Sequence, residues 1–219
     1  GWGEGPAPGF PPRPHWELAG RLRLLDLPRG AKVAGSGFPV YVGRGARLER
    51  ALIAMMLDLH TREHGYTEVS PPFLVNPAAA LGTGHLPKFG GDMYHVTGDD
   101  LYLVPTAEVP LTNLLAGELL EPGALPQHVR FERQEDGASA LESLTGHAET
   151  VLRRLGLRYR VLLLAGGDLG FANAQTYDLE VWAPGVGRWL EVSSCSLYGD
   201  YQARRANIRY RPAPGARPE

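Results

Sequence analysis

Between positions 188 and 211 the chain reads RWLEVSSCSLYGDYQARRANIRYR, its densest run of polar residues. The run holds the only cysteine, Cys195, between Ser194 and Ser196, with Glu191 just upstream and Arg204, Arg205, Arg209 and Arg211 following. A nucleophilic thiol needs a base and a cationic surrounding to form its thiolate. The histidines (15, 60, 64, 85, 95, 128 and 147) all lie far from Cys195 along the chain, and a small thiol on a packed sheet reads as packing. Glu191 is less bland. Together with Asp178 and Glu180 on the preceding strand it puts several carboxylates into one hairpin. Strand acids ordinarily point to solvent. The other reading is an oxygen site for Mg²⁺, made by a carboxylate and a nearby hydroxyl and completed by the phosphates of a nucleotide. Taken alone, the pattern favours solvent.

A second candidate lies in LYLVPTAEVPLTNLL, residues 101–115. Strand-like LYLV ends at Pro105, and a helix is predicted to begin near Thr106 or Glu108. A threonine and a glutamate at such a corner act as an N-terminal cap and as a favourable charge on the helix dipole. They also suit a small polar pocket, in which the carboxylate pairs with a ligand ammonium and the hydroxyl orients it. Local chemistry does not separate the two.

These residues must be positioned by an α+β fold. The pattern predicts a short helix around Glu17–Leu24, a turn at Pro28, a strand at 40–42 and a long helix from Ala46 to His64, with Leu48, Leu52, Met55, Met56 and Leu59 on one stripe. YTEVSPPFLV (66–75) reads as a strand that Pro71 and Pro72 confine to an edge or an interface. A second helix, Ala138–Leu155, carries Leu141, Leu144, Ala148, Val151, Leu152 and Leu155, with Gly156 as its stop. Strands at 158–164, 175–182 and 188–196 follow, the last two joined by APGVG, a link suited to a hairpin. Hairpin-joined strands with helices inserted between others indicate a mostly antiparallel sheet. The Gly/Pro-rich residues 1–14 read as an extended entry segment.

The chain's 219 residues, 43% apolar and 21% charged, are enough for a substantial core. No apolar run approaches a membrane span, and a lone cysteine gives no internal disulfide, so the expected location is the cytoplasm. The balance of 22 Lys+Arg against 24 Asp+Glu argues against a dedicated nucleic-acid coat.

Read in order, FPPRPHWEL, the Ala46 helix with GYTEVSPPFLVN, GTGHLPKFGGDMYHV, LYLVPTAEVPLTN and TYDLEVWAPGVGRWLEVSSCSLYGDYQARRANIRYR resemble the catalytic domain of the bacterial-type seryl-tRNA synthetases, a family of class II aminoacyl-tRNA synthetases. The likeness runs from about Trp2 to Arg211 and makes residues 1–219 one catalytic domain. It implies an antiparallel sheet flanked by helices, a homodimer, and Mg²⁺-ATP and serine bound on the sheet face. The long helix and GYTEVSPP resemble the first class II motif, which builds the dimer interface. Thr106, Ala107 and Glu108 resemble the serine-recognition element, with Glu108 expected on the amino group. Glu191, Val192, Ser193 and Ser194 resemble the ATP-binding strand, with Glu191 and Ser194 expected to reach Mg²⁺. The family reaction, activation of serine to seryl-adenylate and transfer to tRNA(Ser), proceeds by positioning and charge stabilisation, so no protein nucleophile is expected.

Three parts of the family pattern have no counterpart in the sequence: the helical tRNA-binding arm expected before Trp2, the second class II motif expected after LPQHV (125–129), and the third expected beyond Glu219. Without the arginines of those motifs the polypeptide as written is expected to adenylate poorly. An amino acid:carrier-protein ligase and a non-catalytic dimeric scaffold derived from a synthetase remain as alternative readings.

Overall fold

Pro14 carries no N–H to lose at a helix start, and helix α1 (His15–Arg21) follows it directly. The computed structural model describes residues 2–3, 9–125 and 136–219. They fall into two compact units, each discontinuous in sequence: Gly1–Gly65, Thr145–Leu162 and Tyr177–Ser194 make the first, and Tyr66–Leu144, Leu163–Thr176 and Cys195–Glu219 the second.

In the first unit, strands β1 (Leu25–Asp26) and β2 (Val40–Tyr41) pair antiparallel around helix α2 (Leu27–Ala34). The turn expected at Pro28 is instead the first turn of α2. Asp26 caps it, its Oδ1 accepting the Arg29 N–H at 2.9 Å, and a proline there sacrifices no hydrogen bond. Helix α3 (Arg44–Arg62) starts where Gly45 meets the Leu24 backbone, so close that a Cβ would sit 2.0 Å from the Leu24 carbonyl oxygen. Of the expected α3 stripe only Leu59 is buried; Leu52, Met55 and Met56 are half-buried and Leu48 is exposed, as are Ile53 and Leu57 beside it.

Of the stripe expected on helix α6 (Gly137–Arg154), Leu141, Val151 and Leu152 are buried, Leu144 and Ala148 are half-buried, and Leu155, past the helix end, is exposed. Three histidines join α6 to α3. The Nδ1 atoms of His60 and His64 lie 2.9 Å apart, and the His64 ring stacks on His147 at 3.9 Å between centroids. Arg154 pairs with Glu63 alongside. The Tyr159 hydroxyl donates to Glu149 at 2.6 Å and accepts from Arg153 at 2.8 Å.

Strands β7 (Tyr159–Leu163), β8 (Gln175–Ala183) and β9 (Arg188–Leu197) form a sheet in that order. Trp182 N–H bonds to the Arg158 carbonyl and Leu164 N–H to the Thr176 carbonyl, which makes β7 and β8 antiparallel. Pro184–Gly187 turns β8 into β9, with Gly187 at φ +69°, where glycine is favoured. On this hairpin Trp182 and Trp189 meet edge to face at 5.4 Å, with the Arg158 guanidinium over both rings and that of Arg160 over Trp189.

In the second unit, β3 (Leu74–Val75), β5 (Leu101–Leu103) and β4 (His95–Val96) form a small antiparallel sheet in that order. The strand expected over 66–75 is therefore only its last two residues. Tyr66–Pro72 forms no ladder, because two adjacent prolines supply no donors. Helix α4 (Pro77–Gly82) is tied to α5 (Glu108–Asn113) by Asn113 Nδ2, which donates to the Ala79 and Val109 carbonyls, each at 2.9 Å. Strand β6 (Leu119–Leu120) pairs parallel with β10 (Arg209–Tyr210), the one parallel pair among the described strands, and α7 (Tyr201–Arg205) precedes β10. Ala80 and Val109 are fully buried at the centre.

Candidate active site

In the second unit, α5 begins at Glu108. Thr106 Oγ1 accepts the Glu108 N–H only at a long 3.4 Å, and the N-cap position is taken by Ala107 with no side-chain cap, so the capping expected of Thr106 is at most weak. The glutamate does something else. Its Oε2 accepts from the Tyr198 hydroxyl at 2.7 Å and its Oε1 from Gln202 Nε2 at 2.5 Å. Both oxygens are thus met by neutral donors, and no cation partners the carboxylate among the described residues. Thr106 and Ala107 are exposed, and Ala107 supplies the N-cap backbone.

Glu108 and Tyr198 line a cavity of about 100 Å³ with Thr83, His85, Phe89, Phe171 and Asn173. That is room for about three waters or a comparably small polar group. Gly84 lies in the same wall at φ +86°, and a Cβ there would come within 3.0 Å of the Tyr201 ring. Thr83 Oγ1 and His85 Nδ1 are 2.9 Å apart. Asn173 Nδ2 donates to Thr176 Oγ1 at 2.9 Å and to Ser196 Oγ at 3.0 Å, and those hydroxyls also bond to each other. Burial, and then the neighbouring Glu108 charge, push the Tyr198 hydroxyl above its ordinary range, against a lowering bond from Ser196. Tyr198 therefore remains a donor across the neutral range.

Tyr198 and Gln202 were not singled out from the sequence. No local spacing marks them: Tyr198 lies between β9 and α7 and Gln202 inside α7, and only the fold brings both to Glu108. Gln202 is buried although arginines follow it at 204 and 205.

Glu191, Val192, Ser193 and Ser194 all lie on β9 in the first unit. Glu191, Val192 and Ser194 are exposed. Burial first, then the charges of Asp178 and Glu180, raise the Glu191 carboxyl above its usual range. Glu180 is itself paired with Arg160. Among the described residues no three His, Cys, Asp or Glu side chains converge in a metal-binding arrangement. The Glu191 carboxylate, with Asp178 and Glu180 beside it, and the exposed Ser194 hydroxyl on the same strand offer hard oxygen donors that suit a magnesium ion keeping most of its waters and completed by phosphate. Cys195 is 4% exposed, in keeping with packing.

The chain matches the tRNA synthetase class II core domain (G, H, P, S and T) over residues 127–215. A crystal structure of seryl-tRNA synthetase from Pyrococcus horikoshii complexed with ATP superposes with a TM-score of 0.89 at 33% identity, covering 96% of this chain and 54% of that one. The cytoplasmic serine–tRNA ligase of Naegleria fowleri in complex with AMP gives 0.85 at 25% identity, over 94% and 52%. The fold is that of the class II aminoacyl-tRNA synthetases, and residues 127–215 carry the match to their core domain. Within that class its similarity is to serine–tRNA ligases: that of Moorella thermoacetica is 53% identical over 250 residues, covering 99% of this chain and 58% of the relative. The Desulforudis audaxviator enzyme is 53% identical over 249 residues, covering 99% and 59%. The chain thus spans just under three-fifths of the length of these relatives. Both alignments are longer than the 219-residue chain, so these relatives carry residues inside the matched span that have no counterpart here.

Proposed function

We propose that the chain is the catalytic part of a serine–tRNA ligase. The observation that carries this reading is the Glu108 carboxylate, fixed through both oxygens by neutral donors beside a cavity of about 100 Å³. Neutral donors fix the carboxylate's position but leave its charge to be balanced by a ligand, and a small amino acid's ammonium is a match in size and sign. Thr106 and Ala107 set where Glu108 stands. Val192 and Ser193 belong to the strand on which ATP lies, and Glu191 and Ser194 would hold its magnesium. When bound, that ion neutralises phosphate charge in the adenylation step.

The chemistry needs no covalent intermediate on the protein. A serine carboxylate oxygen bonds to the α-phosphorus of ATP, the bond to the β-phosphate oxygen breaks, and pyrophosphate leaves with the electron pair. A terminal ribose hydroxyl of tRNA(Ser) then attacks the acyl carbon, the acyl–oxygen bond to the phosphate breaks, and AMP departs with the electron pair as the hydroxyl proton passes to its phosphate. The chain's part is to orient the reactants and to hold charge. Such a reaction belongs to protein synthesis in the cytoplasm. A homodimer is supported by the apolar residues that α3 leaves exposed.

The test is Glu108→Ala. Truncating one side of an ion pair should cost on the order of 3 kcal/mol, because the other charge is left unpaired. Calorimetry on the whole protein should show serine binding weakened by at least about tenfold. Unchanged affinity would return Glu108 to a capping role and remove the basis for serine recognition.

A further inference from the structure

Lys88 is a cation without a carboxylate. It is exposed, forms no ion pair among the described residues, and holds its ammonium 4.7 Å from the centre of the Phe171 ring and 5.3 Å from that of Phe89. Both rings line the cavity beside Glu108, and they stand 6.2 Å apart. Among the described residues lining that cavity there is no lysine or arginine. A cation parked over two ring faces gains a modest attraction, and it stays free to meet an anion that enters the pocket below.

The substrate assigned above is a zwitterion. Its ammonium has a partner in Glu108; its anionic end has none among the described lining residues. Resting on the serine–tRNA ligase reading, we infer that Lys88 meets the anionic oxygen next to the amino acid's α-carbon, so that Phe89 and Phe171 store the ammonium in the empty site and release it to the ligand. That oxygen has two sources: the carboxylate of the free amino acid, or the phosphate that succeeds it in the adenylate. Lys88 is a binding residue for this end of the substrate. It takes no proton and forms no bond.

The experiment uses the whole chain and its Lys88→Met and Lys88→Arg variants, with calorimetry of three probes: serine, serinol (the same molecule with an alcohol in place of the carboxylate) and AMP. If the carboxylate is the partner, Lys88→Met weakens serine about tenfold, as expected for a lost hydrogen bond between charged groups. It leaves serinol unchanged. If the phosphate is the partner, AMP is the ligand that weakens. In either case Lys88→Arg retains most of the affinity, and raising the salt narrows the gap between wild type and Lys88→Met. A merely structural lysine would alter serine and serinol alike and show no such salt dependence. Equal binding of all three probes by wild type and Lys88→Met would overturn the inference and leave the functional reading intact. Wild-type protein that binds neither serine nor AMP would overturn both.

Discussion

At the scale of single residues, the contrast between Glu191 and Cys195 tests how β9 is read. Both lie on one strand, yet one is exposed among like charges and the other is buried. Glu191→Gln keeps the shape and removes the charge a hard cation prefers. In a form of the protein that also carries the second and third class II motifs, serine-dependent ATP–pyrophosphate exchange should fall by about a hundredfold or more, with the melting temperature nearly unchanged. Cys195→Ser should leave the exchange largely intact. A dead cysteine variant beside an active glutamate variant would invert the assignment of the strand. Glu108 was legible as a candidate because a glutamate after Pro-Thr-Ala marks a helix start. Its partners were not. Tyr198 and Gln202 are some ninety residues away, and only the tertiary fold brings a helix start against a post-strand turn.

At the scale of elements, long periodic segments were readable, and so were the short strands at 40–41 and 101–103, but other short ones were not. Helices α3 and α6 and strands β7 to β9 follow their apolar patterns to within about two residues, the usual uncertainty of such ends. The two-residue strands β1, β4, β6 and β10 carry too little pattern to be seen, and exist because neighbours accept their ladder bonds. Pro28 was misread because a proline marks a turn and a first helical turn equally well. The histidine junction of α3 and α6 has a consequence in acid. Burial, and then the proximity of His64, hold the His60 ring below its ordinary value of 6.5. The unfolded chain therefore takes up a proton before the folded one does. Stability from this site is fully present above about pH 6.5 and is lost as the pH falls through the lower folded value. Thermal melts in low salt should show a decline from pH 7.5 to 5.5 that is shallower in His60→Asn, in which that ring no longer titrates; identical slopes would contradict the role given to His60.

At the scale of the molecule, the first unit leaves more apolar surface open than its helices need. Leu48, Ile53 and Leu57 on α3 are exposed, and so are Val33 on α2 and Tyr41 on β2. Ile53 and Leu57 stand four apart, off the stripe that the sequence marks as core, so α3 carries a second apolar line. Exposed apolar residues on this scale suit an interface between copies. Light scattering at micromolar concentration should give a dimer, and Ile53→Asp with Leu57→Asp should give a monomer. A monomeric wild type would count against the assembly. Tyr66–Pro72, lacking any ladder, would join such an interface through side chains and not as an added strand.

The paired tryptophans give the protein an optical reporter. Trp182 and Trp189 sit on the hairpin that carries Asp178, Glu180 and Glu191, within reach of the Arg158 and Arg160 guanidinium groups. Indole emission responds to nearby charge, so a polyphosphate arriving beside Glu191 should shift the fluorescence of this pair without any label. The signal should saturate as nucleotide is added in the presence of magnesium, and Glu191→Gln should displace the curve to higher concentration. Trp189→Phe would then dim the response while leaving the chemistry in place.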